Sequence, residues 1–540
     1  MSAAAGVSAR LTILDRVALP ILLILAALTR LPDLATRGTW DADQGHDMLV
    51  LRLLVREGVV PLLGPPTSIG DVHHGAWYYY LLGPAAAVTG GDSPLAVMAV
   101  IALAGIAAVG VVWWLARSIG GPVAGFVAGL VMALSAAAID ESTFIWNPNL
   151  IALSSAIALA GAWRAWSGGD RRWWLVAAIG TAVTMQCHVL GVALLPIVGV
   201  PFLLDARRRS MADMVVGAFL VFVLAYLPLA VNEASTGFSE VRAALDYLAG
   251  GRGPAEAAIP VRFGIVGLRV VSWPLTGLIT AGFAAGSLAL VAVIAIIIWL
   301  GWGRQGGDTS ERSVARWFGL GLLWSIVFLT IAAPSLASVV AGLPNDHYHA
   351  FADPFVFVLV GLGIAVMARE VRRPIGPALA TAAVVALIGW NVAHLPPAVH
   401  PDGGFPAGAV AAKRVDAALT AAGIGPTDVI EIRSLPDFKS TEAMAYPLAR
   451  LERDYIATVP KGFAPGSVDP LANSGSSFNG TFGLVLLCDD LFRESIGAAC
   501  GGPAEQSVTP DSGGSTSGAL LDRFEAAPGR FVSVYGRGPG

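Results

Sequence analysis

The sequence predicts an α-helical polytopic membrane protein of about eleven transmembrane helices, followed by a small α/β domain. Three observations support this fold class. Of the 540 residues, 55% are hydrophobic and only 13% are charged, which is about half the charged fraction of a soluble globular protein. Apolar runs of near-bilayer length recur as far as residue 393. Beyond residue 400 these runs stop, and Ser, Gly, Pro and Asp become frequent.

The same composition excludes several classes of protein. So few charges in so long a chain exclude a water-soluble enzyme and a disordered protein. The net charge of −4 argues against the basic patch that binds nucleic acid, so no nucleic-acid partner is expected. The chain has only three cysteines, Cys187, Cys488 and Cys500. They are too few for a disulfide scaffold or a cysteine-rich metal site.

Eleven apolar segments are the predicted transmembrane helices. They are residues 17–31, 94–115, 121–139, 149–166, 172–186, 188–204, 212–231, 277–300, 316–334, 350–368 and 375–393. The first segment follows a short N-terminal stretch containing Arg10 and Arg16. It has no small-residue cleavage site, so we expect a membrane helix and not a signal peptide.

The arginine distribution predicts the orientation in a cell membrane, because cytoplasmic loops are enriched in Lys and Arg. With the N-terminus in the cytoplasm, the inner loops carry Arg117, Arg171, Arg172, Arg207, Arg208, Arg209, Arg304, Arg312, Arg316, Arg369, Arg372 and Arg373. The short outer loops 140–148 and 335–349 carry neither Lys nor Arg. This orientation places two long loops outside, 32–93 and 232–276.

The first long loop is predicted to contain two juxtamembrane helices. Residues 44–57 have helical apolar spacing, which favours an amphipathic helix held against the bilayer. Residues 76–89 are apolar and rich in Tyr, but too few to span, and so favour an interfacial or re-entrant helix.

The chain is predicted to divide into a transmembrane domain, 1–399, and an extracytoplasmic α/β domain, 400–540. Strand-like runs occupy 428–432, 482–488 and 530–536, and a helix-like run occupies 408–422. An oxidising compartment would permit a disulfide between Cys488 and Cys500, but the sequence does not decide whether it forms.

Polar residues gather at the predicted outer face. All eight histidines fall there: His46, His73, His74, His188, His347, His349, His394 and His400. Carboxylates join them in Trp40-Asp41-Ala42-Asp43-Gln44-Gly45-His46-Asp47 and in Asp140-Glu141. Ionisable groups at membrane depth are candidates for function. We therefore expect an outward-facing polar cavity, although a solvated loop or helix cap would show the same residues, and simple tolerance of His is favoured for His394 and His400.

Several motifs occur in a recognisable order. They are Trp40-Asp41-Ala42-Asp43-Gln44, Glu57-Gly58-Val59-Val60-Pro61, His73-His74-Gly75-Ala76-Trp77-Tyr78-Tyr79-Tyr80, Trp146-Asn147-Pro148, Gln186-Cys187-His188, and His347-Tyr348 leading to Pro354. With this topology, the chain resembles the polytopic GT-C glycosyltransferases, specifically glycosyltransferase family 39. That family includes the protein O-mannosyltransferases and the lipid A aminoarabinose transferases. The likeness covers roughly residues 10–370, and motif order carries it more than any single string.

The resemblance implies transfer of a sugar from a polyprenyl-phosphate carrier to an acceptor at the outer face. The family's catalytic carboxylate, the first Asp of an Asp-Glu motif, corresponds to Asp43. The Glu is replaced by Gln44, so Asp41 or Asp47 is a candidate to compensate. Asn147 stands where some relatives carry Asp, which makes Asp140 and Glu141 candidates as well.

The chemistry of such a transfer suggests roles for the remaining candidates. A carboxylate can take the acceptor's proton, and charge developing on the leaving phosphate needs cationic or hydrogen-bonding partners. Candidates to bind the substrates are His73, His74, Tyr78, Asp140, Glu141, Asn147, His188, Arg262, Arg269, His347, Tyr348 and His349. The histidines are compatible with a divalent metal, but phosphate binding without a metal is favoured and no metal ligand is assigned. A single displacement would invert the anomeric centre.

Two other functions remain open. A transporter or flippase of a lipid-linked substrate would show mid-span charges and internal repeats, whereas the polar residues here collect at one face. A catalytically inactive relative that binds glycolipids is the second alternative, because of Gln44. The sequence does not identify the sugar, nor whether the acceptor is a glycan, a lipid or a protein.

Overall fold

The computed structural model describes residues 13–67, 72–251, 257–277, 283–304, 308–333, 336, 347–435, 441–457, 482–490, 500–503, 505 and 518–537. Within these residues the first nine α-helices are α1 (Ile13–Arg30), α2 (Leu34–Arg37), α3 (Ala42–Arg56), α4 (Trp77–Val88), α5 (Pro94–Leu134), α6 (Ala136–Asp140), α7 (Ile151–Trp166), α8 (Trp173–Cys187) and α9 (Leu194–Leu204). They are followed by α10 (Ala212–Thr236), α11 (Ser239–Asp246), α12 (Ile259–Thr276), α13 (Phe283–Ile298), α14 (Thr309–Ala332), α15 (Asp353–Glu370), α16 (Ile375–Ala393), α17 (Gly404–Ala421) and α18 (Glu442–Ala449).

Each of the eleven predicted segments overlaps a helix. Among the described residues, six helical stretches are long and apolar enough to cross a membrane: Pro94–Leu134, Ala212–Thr236, Phe283–Gly303, Thr309–Ala332, Tyr348–Glu370 and Ile375–Ala393. The chain is therefore a multi-pass helical membrane protein. The count of eleven spans stays a prediction, because helices such as α8 and the Val189–Leu204 stretch are shorter.

Helix α5 is a hairpin of two predicted spans. Gly121 interrupts it with φ at +85°, a backbone conformation that glycine adopts readily. The chain then reverses, since a Cβ added at Gly125 would lie 2.6 Å from the Cβ of Arg117. The residues before and after Gly121 thus pack against each other, in agreement with the separate segments 94–115 and 121–139.

Segments that are predicted to lie on the same side of the membrane contact one another. At the inner end, Arg304 donates to Glu311 at 2.8 Å and to Glu370 at 2.8 Å, and Arg369 donates to Glu311 at 3.0 Å. At the outer end, Asn391 donates to the main-chain oxygen of Leu275 at 2.8 Å. These contacts agree with the predicted grouping of the loops, and which side faces the cytoplasm stays a prediction.

The long outer loops are more structured than the sequence suggested. A short antiparallel hairpin of β1 (Leu63–Pro66) and β2 (His73–Gly75) separates α3 from α4. In the second loop, residues 266–276 of α12 are buried, and the helix packs against α13, α14 and α15. The sequence predicted that helix α3 rests on the bilayer surface. In the structure, residues 44–51 are buried and the helix packs against α4 and α18.

The C-terminal part forms a five-stranded mixed sheet. Its strands are β3 (Ile430–Leu435), β4 (Tyr455–Ala457), β5 (Gly483–Asp489), β6 (Gly518–Ala527) and β7 (Arg530–Arg537). The order is β4-β3-β5-β7-β6, with β3 parallel to β4 and β5, and β7 antiparallel to β5 and β6. Helix α17 packs against β6 and β7. The predicted α/β fold of this region is confirmed, and Cys488 and Cys500 form a disulfide; the boundary at residue 400 stays a prediction.

Candidate active site

The first turn of α3 presents the carboxylate of Asp43. The helix begins at Ala42, directly after Asp41, and the Oε1 of Gln44 accepts the main-chain N–H of Asp41 at 2.9 Å. That contact satisfies one of the donors that helix N-termini leave without an intrahelical partner. Asp43 is exposed, and the positive end of the helix dipole stabilises a negative charge there. An exposed carboxylate is a group that can accept a proton from a substrate.

Gln44 has a structural role. Its side chain is buried, and its Nε2 donates to the main-chain oxygen of Ile145 at 2.9 Å. A carboxylate at this position could not donate that hydrogen bond. The difference from the family's Glu therefore ties α3 to the outer loop that follows α6, and it removes no exposed carboxylate.

Asp47 lies one turn after Asp43, and its carboxylate is hydrogen-bonded within the protein. It is buried and accepts hydrogen bonds from the hydroxyls of Tyr78 at 2.7 Å and Tyr79 at 2.9 Å. Burial raises the pKa of Asp47 to about 7, against the opposing effects of His46 and the two tyrosines. Asp47 thus fastens α4 to α3 and does not offer a second exposed carboxylate.

The rings of two histidines, His74 and His188, meet beside the end of α8 with an interplanar angle of 40°. The ring centroids of His74 and His188 are 4.6 Å apart, and the ring of Tyr348 packs edge-on against His188 at 5.5 Å. The Nδ1 of His74 accepts the N–H of Val189 at 3.3 Å, and the Nδ1 of His188 accepts the N–H of Leu190 at 3.2 Å. A nitrogen that accepts from a main-chain N–H carries no proton. Both rings are therefore neutral donors through Nε2.

Asn147 joins the outer loop to these histidines. Its Nδ2 donates to the main-chain oxygen of Cys187 at 2.5 Å, which an Asp could not do. Together with the Gln44–Ile145 contact, this brings the outer ends of α3, α8 and the neighbouring segments together. We call the following residues the outer polar cluster: Asp43, His74, Tyr78, Asn147, His188 and Tyr348.

Other predicted residues have partners outside this set of six. The main-chain N–H and Nδ1 of His73 lie 2.7 and 2.9 Å from the two carboxylate oxygens of Glu240. Asp41 accepts from Arg530 at 3.1 Å. Glu141 accepts the indole N–H of Trp273 at 2.7 Å.

The remaining candidates are also placed by the structure. Asp140 lies within electrostatic range of Arg37 and His400. Arg269 is buried and donates to the main-chain oxygen of Leu336 at 2.7 Å, while Arg262 lies on the more exposed half of α12. His349 is buried, with its Nδ1 3.4 Å from Asp353. The side chain of His347 lies outside the described residues.

Arg30 and Arg530 were not singled out by sequence reasoning. Arg30 is buried at the outer end of α1 and donates to Ser142 at 2.9 Å and to the main-chain oxygen of Ala133 at 3.0 Å. A signal existed for it, because an arginine at the outer end of a span departs from the positive-inside distribution. Nothing local marked Arg530, whose partner Asp41 is 489 residues away in the chain.

The outer polar cluster does not provide an evident metal site. Among the described residues, the one group of three candidate ligands in mutual reach is Cys488, Cys500 and Glu505. The two sulfurs there are bonded to each other, so neither is available as a thiolate ligand. Phosphate binding by the histidines and a role for a divalent metal both stay predictions.

Comparison with known proteins places this fold. Residues 73–231 match the family model described as dolichyl-phosphate-mannose-protein mannosyltransferase. No curated protein sequence matches the chain. ArnT from Cupriavidus metallidurans has a similar structure in its apo state, with a TM-score of 0.53 and 16% identity, over 96% of this chain and 97% of that one.

Two further structures agree with this placement. ArnT from Cupriavidus metallidurans bound to undecaprenyl phosphate matches with a TM-score of 0.52 and 15% identity, over 96% of this chain and 97% of that one. The archaeal oligosaccharyltransferase AglB from Archaeoglobus fulgidus, in complex with an inhibitory peptide and a dolichol-phosphate, matches with a TM-score of 0.51 and 15% identity, over 88% of this chain and 69% of that one. The resemblance to the GT-C glycosyltransferases is confirmed, and the chain shares their fold.

Proposed function

We propose that the chain is an integral membrane glycosyltransferase. It moves a sugar from a polyprenyl-phosphate donor to an acceptor glycan, lipid or protein, at the outer face of the cell membrane and with inversion. The observation that carries this proposal is the exposed Asp43 at the start of α3. Helix α3 is joined through Gln44 and Ile145 to the loop whose Asn147 contacts Cys187, the residue before His188. The shared fold adds support, because its neighbours bind undecaprenyl phosphate in one case and a dolichol-phosphate in the other.

In this reaction Asp43 is the general base. As an acceptor hydroxyl attacks the anomeric carbon, the carboxylate takes the hydroxyl proton. The new carbon–oxygen bond forms while the bond to the donor phosphate breaks, and the electron pair leaves with the phosphate. The Nε2–H groups of His74 and His188 are suited to donate hydrogen bonds to the phosphate oxygens, where negative charge develops. One displacement of this kind inverts the anomeric centre.

Gln44 stands in place of the family's Glu, and this replacement is what favours the alternative of an inactive relative. Its buried amide is used in the contacts to Asp41 and Ile145, and Asp43 remains exposed beside it. The one exposed carboxylate that a base mechanism requires is thus retained. This arrangement favours an active enzyme over a protein that only binds glycolipid.

A deletion strain provides a test that does not require the sugar to be identified beforehand. Lipid and glycan profiling should reveal one missing sugar and accumulation of its lipid-linked donor, and the wild-type gene should restore the profile. Asp43→Asn should fail to restore it, with transfer reduced about 10²- to 10⁴-fold, the usual contribution of a general base. Asp33→Asn is the matched control, because Asp33 is an exposed acid at the start of α2. Undiminished transfer by the Asp43→Asn variant would remove Asp43 from the role of base.

A further inference from the structure

The C-terminal sheet contacts the start of α3 through one arginine. Arg530 is the first residue of β7, and its Nη1 donates to the main-chain oxygen of Trp40 at 3.1 Å. Its Nη2 donates to Asp41 and to Asp489, both at 3.1 Å. The Arg530 side chain is 19% exposed, so these charge-assisted hydrogen bonds are largely shielded from water.

The residues held by Arg530 are those that set the direction of α3. Trp40 and Asp41 are the last two residues before the helix begins at Ala42, and Asp43 is in its first turn. Anchoring both the main chain and the side chain at this point restricts the rotation of the first turn. Asp43 is only two residues away from that anchor, in the first turn of the same helix.

Further contacts join the start of α3 to the C-terminal domain. The indole N–H of Trp40 donates to the main-chain oxygen of Ala443 at 2.9 Å. A Cβ at Gly45 would overlap the main-chain oxygen of Glu442, so α3 and α18 meet at a distance that only glycine allows. The first two turns of α3 therefore lie directly on the C-terminal domain.

The other end of the Arg530 contact is also fixed. Asp489 is the cross-strand partner of Arg530 at the end of β5. It follows Cys488, which is bonded to Cys500. The guanidinium is thus held between a carboxylate of the sheet and a carboxylate of the first outer loop, and a single planar fork can serve both.

From this geometry we infer that Arg530 is a positioning residue for the candidate active site: it orients the first turn of α3, and with it Asp43, from the C-terminal domain. This inference rests on the proposed role of Asp43. It gives the C-terminal domain a part in the reaction, acting through helix α3 and without contact to the reacting atoms. In this inference the Asp41 carboxylate serves to bind Arg530 and not to react with the substrate.

Hydrogen exchange tests the anchor independently of any reaction. The full-length protein in detergent or nanodiscs is compared with Arg530→Gln, Arg530→Lys and the control Arg414→Gln. Arg414 is 52% exposed and forms an ion pair with Asp522 in the same domain, and neither residue is among the contacts of Arg530. In the Arg530→Gln variant we expect amides of residues 42–47 to exchange at least about tenfold faster, while residues 483–489 of β5 keep wild-type protection. Arg414→Gln should leave both peptides unchanged.

Kinetics complete the test, with lipid extract of the deletion strain as donor source. Arg530→Gln should lower kcat about 10- to 100-fold with less than a threefold change in KM for the donor, and Arg530→Lys should recover part of the loss. Wild-type exchange at 42–47 in Arg530→Gln, or faster exchange with unchanged kcat, would overturn the inference. Asp43→Asn, assayed in parallel, separates the two proposals. Full activity of Asp43→Asn would refute Asp43 as the base. The hydrogen exchange of residues 42–47 in Arg530→Gln tests only the role of Arg530.

Discussion

The side-chain amide of Gln44 donates a 2.9 Å hydrogen bond to the main-chain oxygen of Ile145, across an interface between α3 and the outer loop after α6. The same side chain accepts the N–H of Asp41 through Oε1. An amide can serve both contacts because it offers a donor and an acceptor. A carboxylate could keep only the second.

Restoring the family's acid at this position should therefore harm the protein. Gln44→Glu places a buried carboxylate against the oxygen of Ile145, and the loss of a buried hydrogen bond costs about 1–3 kcal/mol. We expect a lower apparent Tm in detergent, measured against Glu57→Gln, a change of the same kind at the exposed C-terminal end of α3. A Gln44→Glu variant as stable as the wild type would show that the Ile145 contact contributes little.

Asp47 should make stability depend on pH. Its pKa is about 7 in the folded protein, because the carboxyl is buried, and near 4 in an unfolded chain. The folded state therefore binds the extra proton between these values, and stability falls as pH rises from about 4 to about 7. Asp47→Asn removes this titration. We expect the apparent Tm of Asp47→Asn, minus that of the wild type, to rise between about pH 4 and about pH 7 and to level off above it. A Tm difference that stays constant from about pH 4 to about pH 8 would contradict a raised pKa for Asp47.

The inner-end ion cluster should stabilise the fold without affecting the chemistry. Glu311 is 2% exposed and is bonded to Arg304 and Arg369. Removing the carboxylate leaves buried Arg304 with Glu370 as its remaining partner in the cluster. The cost should therefore lie below the roughly 3–5 kcal/mol of a buried charge that loses its one partner. Glu311→Ala should thus lower the apparent Tm strongly, while kcat per folded molecule stays at the wild-type value.

The control for that variant is an exposed pair. Arg171 and Asp213 form an ion pair whose side chains are 48% and 49% exposed, and such pairs contribute about 0–1 kcal/mol. Asp213→Ala should therefore change the apparent Tm little. Equal shifts for the two variants would mean that burial does not set the strength of the inner-end cluster.

The orientation can be tested by labelling in intact cells with a membrane-impermeant maleimide. Asp33 and Arg209 are exposed at the predicted outer and inner ends. The native thiols should react little, because Cys187 is buried and the other two cysteines form the disulfide. Asp33→Cys should label in intact cells, and Arg209→Cys only after lysis. The reverse pattern would overturn the proposed outward-facing site.

Much of the fold followed from local composition. An apolar run of bilayer length has few stable alternatives to a helix, because lipid offers no partners for main-chain polar groups. The predicted segments accordingly overlap helices, and the strand-like runs 428–432, 482–488 and 530–536 correspond to β3, β5 and β7. The buried half of α12 escaped prediction because its burial comes from neighbouring helices and not from its own length.

By itself, the sequence determined a helical membrane protein with a C-terminal α/β domain, predicted an inner and an outer side from its loop arginines and its histidines, and singled out Asp43. Only the tertiary structure decided which polar residues share a partner. It separates exposed Asp43 from buried Asp47, pairs His74 with His188, and joins Asp41 to Arg530 across 489 positions of the chain. The physical reason is that hydropathy reports the surroundings of one segment at a time. The state of an ionisable group depends instead on burial and on the charges and donors that other segments bring to it.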